Sequence, residues 1–160
     1  GLFAFSRCYS LRELTLPKSL TTIGQSAFQE IGTEKIKVPE GVTRIEADTF
    51  MNCSNLKEII LPDGLTKIGM FAFSNCAKLE QIILPNDITK IDSSTFAGCA
   101  SLTKVEFPEK LETIGGAVFS GCKSLEEIIL PESTKTIAID AFKGCINLKS
   151  VYIKITIIRT

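Results

Sequence analysis

The side chains whose type and spacing could do chemistry are six cysteines: Cys8, Cys53, Cys76, Cys99, Cys122 and Cys145. Thiols form disulfides, ligate metals or act as nucleophiles, and each use makes its own geometric demand. The 160 residues include no histidine, the usual general base and the usual partner of a zinc-binding or nucleophilic cysteine. No Cys-x-x-Cys pair is present either, and from Cys53 onward the cysteines recur every 23 residues. Constant spacing stacks them in a column, and a linear column of sulfurs cannot surround a tetrahedral ion. An even number of cysteines ordinarily suggests disulfides. Parallel side chains in a ladder, however, lie close without pointing at one another. Ile31 occupies the phase where the next cysteine after Cys8 belongs, so the position accepts a compact apolar group. The expectation is six reduced, buried thiols, with some disulfide as the alternative. Carboxylate pairs such as Glu126-Glu127 fall on exposed strand or turn positions and read as a solvated face. There is no Gly-rich phosphate loop, G-x-S-x-G or EF-hand spacing. No catalytic, cofactor-binding or metal residue is therefore expected, and an enzyme is not.

The elements that position the cysteines are repeats. The pattern C-x-x-L-x-x-[IV]-x-[LF]-P-x-x-[LI]-x-x-I-[GD]-x-x-[ATV]-F-x-x runs unbroken through Cys76–Gly98 and recurs along the chain. All six prolines (Pro17, Pro39, Pro62, Pro85, Pro108, Pro131) share the phase after the strand. Seven of the ten phenylalanines share another: Phe5, Phe28, Phe50, Phe73, Phe96, Phe119 and Phe142. Such a period marks a repeat architecture. A partial repeat over 1–7 precedes units 8–30, 31–52, 53–75, 76–98, 99–121 and 122–144, and a partial unit covers 145–160. Unit 31–52 is one residue short between Ile31 and Pro39. No linker or composition shift interrupts the array, which reads as one domain over 1–160. The chain opens inside a repeat at Gly1-Leu2-Phe3, taken as a fragment boundary with no signal peptide.

Within a unit, L-x-x-I-x-L-P predicts a short strand with Leu79, Ile82 and Leu84, or Leu56, Ile59 and Leu61, facing inward. Proline ends it, because proline offers no N–H to a neighbouring rung. A polar turn and a second extended piece, L-x-x-I, follow; Gly24, Gly69 and Gly115 are read as permitting the next bend. The closing x-x-A-F-x-x predicts a single helical or 3₁₀ turn that plugs phenylalanine into the core. No unit covers its own apolar side, so each needs the next. The fold expected is an α/β repeat solenoid. It would be a right-handed coil of ~23-residue units with a parallel β-sheet on one face and short extended or 3₁₀/helical turns on the other.

The L-x-x-L-x-L strand and the in-register Cys, Pro and Ala-Phe resemble the BspA-type (Treponema-type) leucine-rich repeat family over essentially the whole chain. Ile31, Thr134, Ala138 and Lys154 depart from the pattern. The resemblance implies a cell-surface or secreted protein of a bacterium, sometimes of a parasitic protist, that binds host matrix or other cells.

Outward strand positions are where rungs differ without damage to the core. One column reads Thr15, Lys37, Ile60, Ile83, Glu106, Ile129 and Tyr152; its neighbour reads Glu13, Lys35, Glu58, Gln81, Lys104, Glu127 and Ser150. Isoleucines bordered by charges suggest a protein-binding face, against the plainer reading that isoleucine simply suits a strand. The candidate face is Lys35, Lys37, Glu58, Ile60, Gln81, Ile83, Lys104, Glu106, Glu127, Ile129 and Tyr152. A spacer array that displays another domain is the alternative. A carbohydrate role ranks third, because outward aromatics are scarce. Eighteen basic and eighteen acidic residues balance to zero, which gives no pull toward nucleic acid. No apolar run approaches the ~20 residues of a transmembrane helix. After Lys154 replaces the last proline, alternation continues to Ile158, with Val151, Ile153, Ile155 and Ile157 on one face. That predicts a longer edge strand and self-association through the C-terminal rung.

Overall fold

The computed structural model describes residues 1–154. The chain is a stack of parallel rungs, with two strands in each unit from 31–52 to 122–144. In chain order these are β1 (Lys35–Lys37), β2 (Arg44–Ile45), β3 (Glu58–Ile60), β4 (Lys67–Ile68), β5 (Gln81–Ile83) and β6 (Lys90–Ile91). Then come β7 (Lys104–Glu106), β8 (Thr113–Ile114), β9 (Glu127–Pro131), β10 (Thr136–Ile137) and β11 (Ser150–Lys154). Odd-numbered strands form the main sheet face, and every paired strand runs parallel to its partner. Pairing on that face comes in twos: β1 with β3, β5 with β7, and β9 with β11. Proline ends β1, β3, β5 and β7 as expected, but β9 runs through Pro131, which pairs with Lys154 of β11. Proline lacks only the N–H, so its carbonyl still serves a ladder.

The expected α/β character is corrected: among the described residues there is no α-helix and no 3₁₀-helix. The phenylalanine segment is instead a run of alternating turns. In unit 53–75, Ala72, Ser74 and Cys76 donate their N–H groups to the carbonyls of Gly69, Phe71 and Phe73 at 3.3, 3.0 and 3.1 Å. The intervening N–H groups of Phe71, Phe73 and Asn75 leave the rung and bond Ser93, Thr95 and Ala97 of the next at 3.3, 2.9 and 2.7 Å. A 3₁₀ helix would spend every N–H within the turn. Here alternate peptides are diverted by residues in the left-handed region two before and two after the phenylalanine. Phe71 and Asn75 have φ of 55° and 59°, Ser94 and Gly98 have 57° and 75°. The sequence pattern could not separate one helical turn from this arrangement, because both place Ala and Phe inward.

Gly69 also differs from its expected role. Its φ is not left-handed; a Cβ there would lie 2.7 Å from Ala47 N and 2.9 Å from Glu46 C of the preceding rung. It is a site of close backbone approach.

The core is a set of columns. Phenylalanine rings stack from Phe5 through Phe28, Phe50, Phe73, Phe96 and Phe119 to Phe142 with centroids 5.4–5.6 Å apart and planes within 11°. These spacings lie in the offset-stacked range for aromatic pairs. Leucine and isoleucine columns such as Leu56, Leu79, Leu102 and Leu125 fill the sheet side and are fully buried. Along the edges, ion pairs join equivalent positions of adjacent rungs: Lys57 to Glu34 at 2.8 Å, Lys110 to Asp87 at 2.8 Å, Lys135 to Glu112 at 2.7 Å and Lys149 to Glu126 at 2.8 Å. The Lys57 hydrogen bond holds Glu34 below the usual carboxylate range, and Lys149 does the same for Glu126.

Phe73 has rings on both sides and no exposure. Phe73→Ala is expected to cost about 3–5 kcal/mol, since both the side chain and a filled cavity are lost. Urea unfolding measures it; a loss below about 1 kcal/mol would show that the neighbouring rings close the gap.

Candidate functional site

The thiols come first, since they were the chemistry that the sequence offered. All six are free, and Cys53, Cys76, Cys99, Cys122 and Cys145 are buried. Each of the five points its Sγ at the phenylalanine carbonyl of the preceding rung: Cys53 to Phe28, Cys76 to Phe50, Cys99 to Phe73, Cys122 to Phe96 and Cys145 to Phe119, at 3.1–3.2 Å. Burial pushes Cys99 up to about 12 and also raises Cys76, Cys122 and Cys145. Such thiols stay protonated as donors and are poor nucleophiles. Cys8 departs from the expectation, because it is exposed. Among the described residues, no group of three Cys, Asp or Glu side chains could hold a metal ion.

The outward face of the main sheet is the second candidate. Of its eleven residues, Glu58 is half-buried and the other ten are exposed. Ile60, Ile83 and Ile129 keep 39, 60 and 49% of their surface open to solvent. Strand alternation explains this, because Ile59, Ile82 and Ile128 between the outward positions are buried. The structure gathers them at the seams between ladders. Between β3 and β5, Ile60 and Ile83 line a recess with Leu61 and Pro85, rimmed by Glu58 and Gln81. Between β7 and β9, Ile129 shares a second recess with Val105 and Phe107, rimmed by Lys104, Glu106 and Glu127. Lys37 borders a third with Leu14, Leu16 and Pro39. Lys35 and Tyr152 line none of these three recesses.

At the laddered pairs, Val38 and Leu84 donate N–H to Ile60 and Glu106 of the next rung at 2.9 and 3.0 Å. At the seams the equivalent groups of Leu61 and Phe107 make no such bond among the described residues. Several charges around the isoleucines are already paired: Lys35 Nζ lies 2.8 Å from Glu58 Oε1, and Lys104 pairs with Glu106. The sequence reading missed Leu61, Asp63 and Pro85 as lining residues. Their signal is their place at the strand end, directly after the exposed isoleucines, where the repeat pattern points to core and turn.

The geometry just described is that of a known repeat class. A family model described as the BspA type leucine-rich repeat region matches in six copies, over residues 1–102 and 43–160. The chain belongs to the BspA-type leucine-rich repeat family. Among solved structures, it is similar to a leucine-rich repeat protein from Bacteroides ovatus, with 37% identity, a TM-score of 0.91 and 94% of this chain covered. A leucine-rich repeat protein from T. pallidum matches 81% of the chain at 32% identity with a TM-score of 0.78. One from Eubacterium ventriosum matches 90% at 27% identity with a TM-score of 0.61. The chain spans 39, 61 and 44% of the lengths of these three relatives. No curated protein matches. Among the described residues, no helix is long and apolar enough to cross a membrane.

The thiol geometry sets an expected outcome. A thiol reagent should label Cys8 rapidly in the folded protein and the other five only as fast as the solenoid opens. Mass spectrometry before and after denaturation counts the labels; fast labelling of Cys99 in the native state would contradict its burial.

Proposed function

We propose that this BspA-type array is a non-enzymatic protein-binding module, acting at a cell surface or in secreted form as an adhesin-like contact with host or neighbouring-cell proteins. The partner class envisaged is an extracellular matrix or surface protein. The observation that carries the reading is the pair Ile60 and Ile83, exposed beside the unbonded Leu61 N–H at the seam between β3 and β5. An apolar anchor with a polar rim is the usual make-up of a protein contact, and nearby charges that are already paired ask little of a partner electrostatically. Each rung of the solenoid is built like the last while its outward residues differ, which suits recognition by a surface rather than by a single pocket.

The test is a binding screen of the chain against matrix proteins, followed by Ile60→Lys and Ile83→Lys together. The double variant should weaken binding at least about tenfold, the scale of a lost hot spot, with unchanged unfolding. Unaltered affinity would move the contact elsewhere, and no binder at all would favour a spacer array that displays another domain.

Self-association through the C-terminal rung belongs to the same proposal. β11 has Val151 and Ile153 half exposed at positions that are buried or partly buried in earlier rungs, such as Ile128 and Leu130. Residues 155–158, on which the longer strand was expected to continue, lie outside the described residues. Sedimentation over a concentration series should show association that weakens in Val151→Lys; a monomer at all concentrations would remove this part of the proposal.

A further inference from the structure

The shortened unit 31–52 changes the turn edge of the array. Phe28 stacks on Phe50, 22 positions later, whereas Lys35 pairs with Glu58, 23 later. The missing residue therefore lies between these points. Ile31 and Gly32 match Cys53 and Ser54, and buried Thr33 matches buried Leu56, so Asn55 has no counterpart in the rung before it. That rung is drawn inward at its edge. A Cβ on Gly32 would fall 2.0 Å from Tyr9 O, so the shortened turn has room only for glycine. The indentation is a recess on the turn edge of the solenoid, away from the main sheet.

Its walls have a consistent chemistry. On one side stands Tyr9, 58% exposed, whose hydroxyl donates to Glu30 Oε2 at 2.7 Å and so fixes the tilt of its ring. On the other side are Asn52, Asn55 and Asn75, over a floor of Gly32, Ser54 and Ala77. Asn75 Nδ2 donates to Asn52 Oδ1 at 3.0 Å, and Lys78 Nζ donates to Asn55 Oδ1 at 2.9 Å. With their oxygens engaged, Asn52 and Asn55 have their amide N–H groups to offer. Glu30, the acidic residue of the lining, is already held by Tyr9 and lies 3.7 Å from Arg7 Nε. The recess thus combines an oriented aromatic face with pre-positioned amide donors, and the Lys78 ammonium beside it is held by Asn55.

We propose that this recess is a carbohydrate site for a neutral oligosaccharide, with one sugar ring against Tyr9 and the hydroxyls of the next on the amides of Asn52 and Asn55. An apolar C–H face and a fringe of hydroxyls are what an aromatic ring beside side-chain amides can satisfy together. A peptide adding to a sheet would want a free strand edge, which the lining lacks, and the lining's isoleucine, Ile31, is buried. The site is separate from the main sheet and does not depend on protein binding there.

The experiment is amide NMR titration of the intact chain with neutral gluco-, manno- and galacto-oligosaccharides at millimolar concentration. Saturable shifts should centre on Gly32, Asn52 and Asn55, and Tyr9→Ala should weaken binding at least about tenfold, as loss of an anchoring aromatic does. A serine inserted between Gly32 and Thr33 restores the regular unit length and should also abolish binding. If that insertion disturbs the fold, Tyr9→Ala on an exposed side chain decides alone. No saturable shift with any of the sugars would overturn the proposal. So would shifts that Tyr9→Ala leaves unchanged, or shifts centred on Ile60 and Ile83.

Discussion

Registry at the phenylalanine column is the constraint on which the other features of the solenoid depend. From Phe50 to Phe119 the phenylalanine of each rung does three things at once. Its ring stacks between two others, its carbonyl accepts the N–H of the cysteine three residues on, and the same carbonyl accepts the thiol of the next rung's cysteine. Phe73 shows all three, with Phe50 and Phe96 on either side, Cys76 N at 3.1 Å and Cys99 Sγ at 3.2 Å. A buried carbonyl has two lone pairs, and leaving one without a donor costs free energy. The cysteine is therefore more than an apolar filler. Where Ile31 replaces it, the carbonyl left without a thiol is that of Phe5, in the partly exposed first rung, where water can serve.

Once the column fixes the height of every rung, the edges follow. Residues 23 apart meet side by side, so lysines find acids of the neighbouring rung without a dedicated turn or loop. Exposed pairs of this kind contribute little each. On the sheet face Lys35 with Glu58 and Lys104 with Glu106 pair in the same way, beside the exposed Ile60, Ile83 and Ile129. The core repeats while the surface does not.

How much of this was legible in the sequence follows from the same division. Columns announce themselves, because Cys, Pro and Phe recur in phase, and the alternation of Ile59 with Ile60 told inside from outside. The path of the backbone through the phenylalanine segment did not. Residues as unlike as Phe71, Asn75, Ser94 and Ala117 adopt left-handed φ there, and no single residue type marks the position as glycine would. The pairing of strands in twos was hidden as well, because it depends on small displacements between rungs of equal pattern. The shortened unit was visible as a missing residue, but its effect was not: Tyr9 and Asn55 are far apart in sequence and neither belongs to the repeat consensus.

The diverted peptides of the phenylalanine segment give the molecule an electrical direction. In every rung the N–H groups two before, at and two after the phenylalanine point to the following rung, and the carbonyls just preceding them receive from the one before. Peptide dipoles so aligned add head to tail, as they do along an α-helix. The solenoid thus behaves in one of its walls like three short helices laid parallel, though it contains none. Across the described residues every such bond runs the same way, from Phe3, Phe5 and Arg7 donating to Gln25, Ala27 and Gln29 through to Ala117, Phe119 and Gly121 donating to Ile139, Ala141 and Lys143.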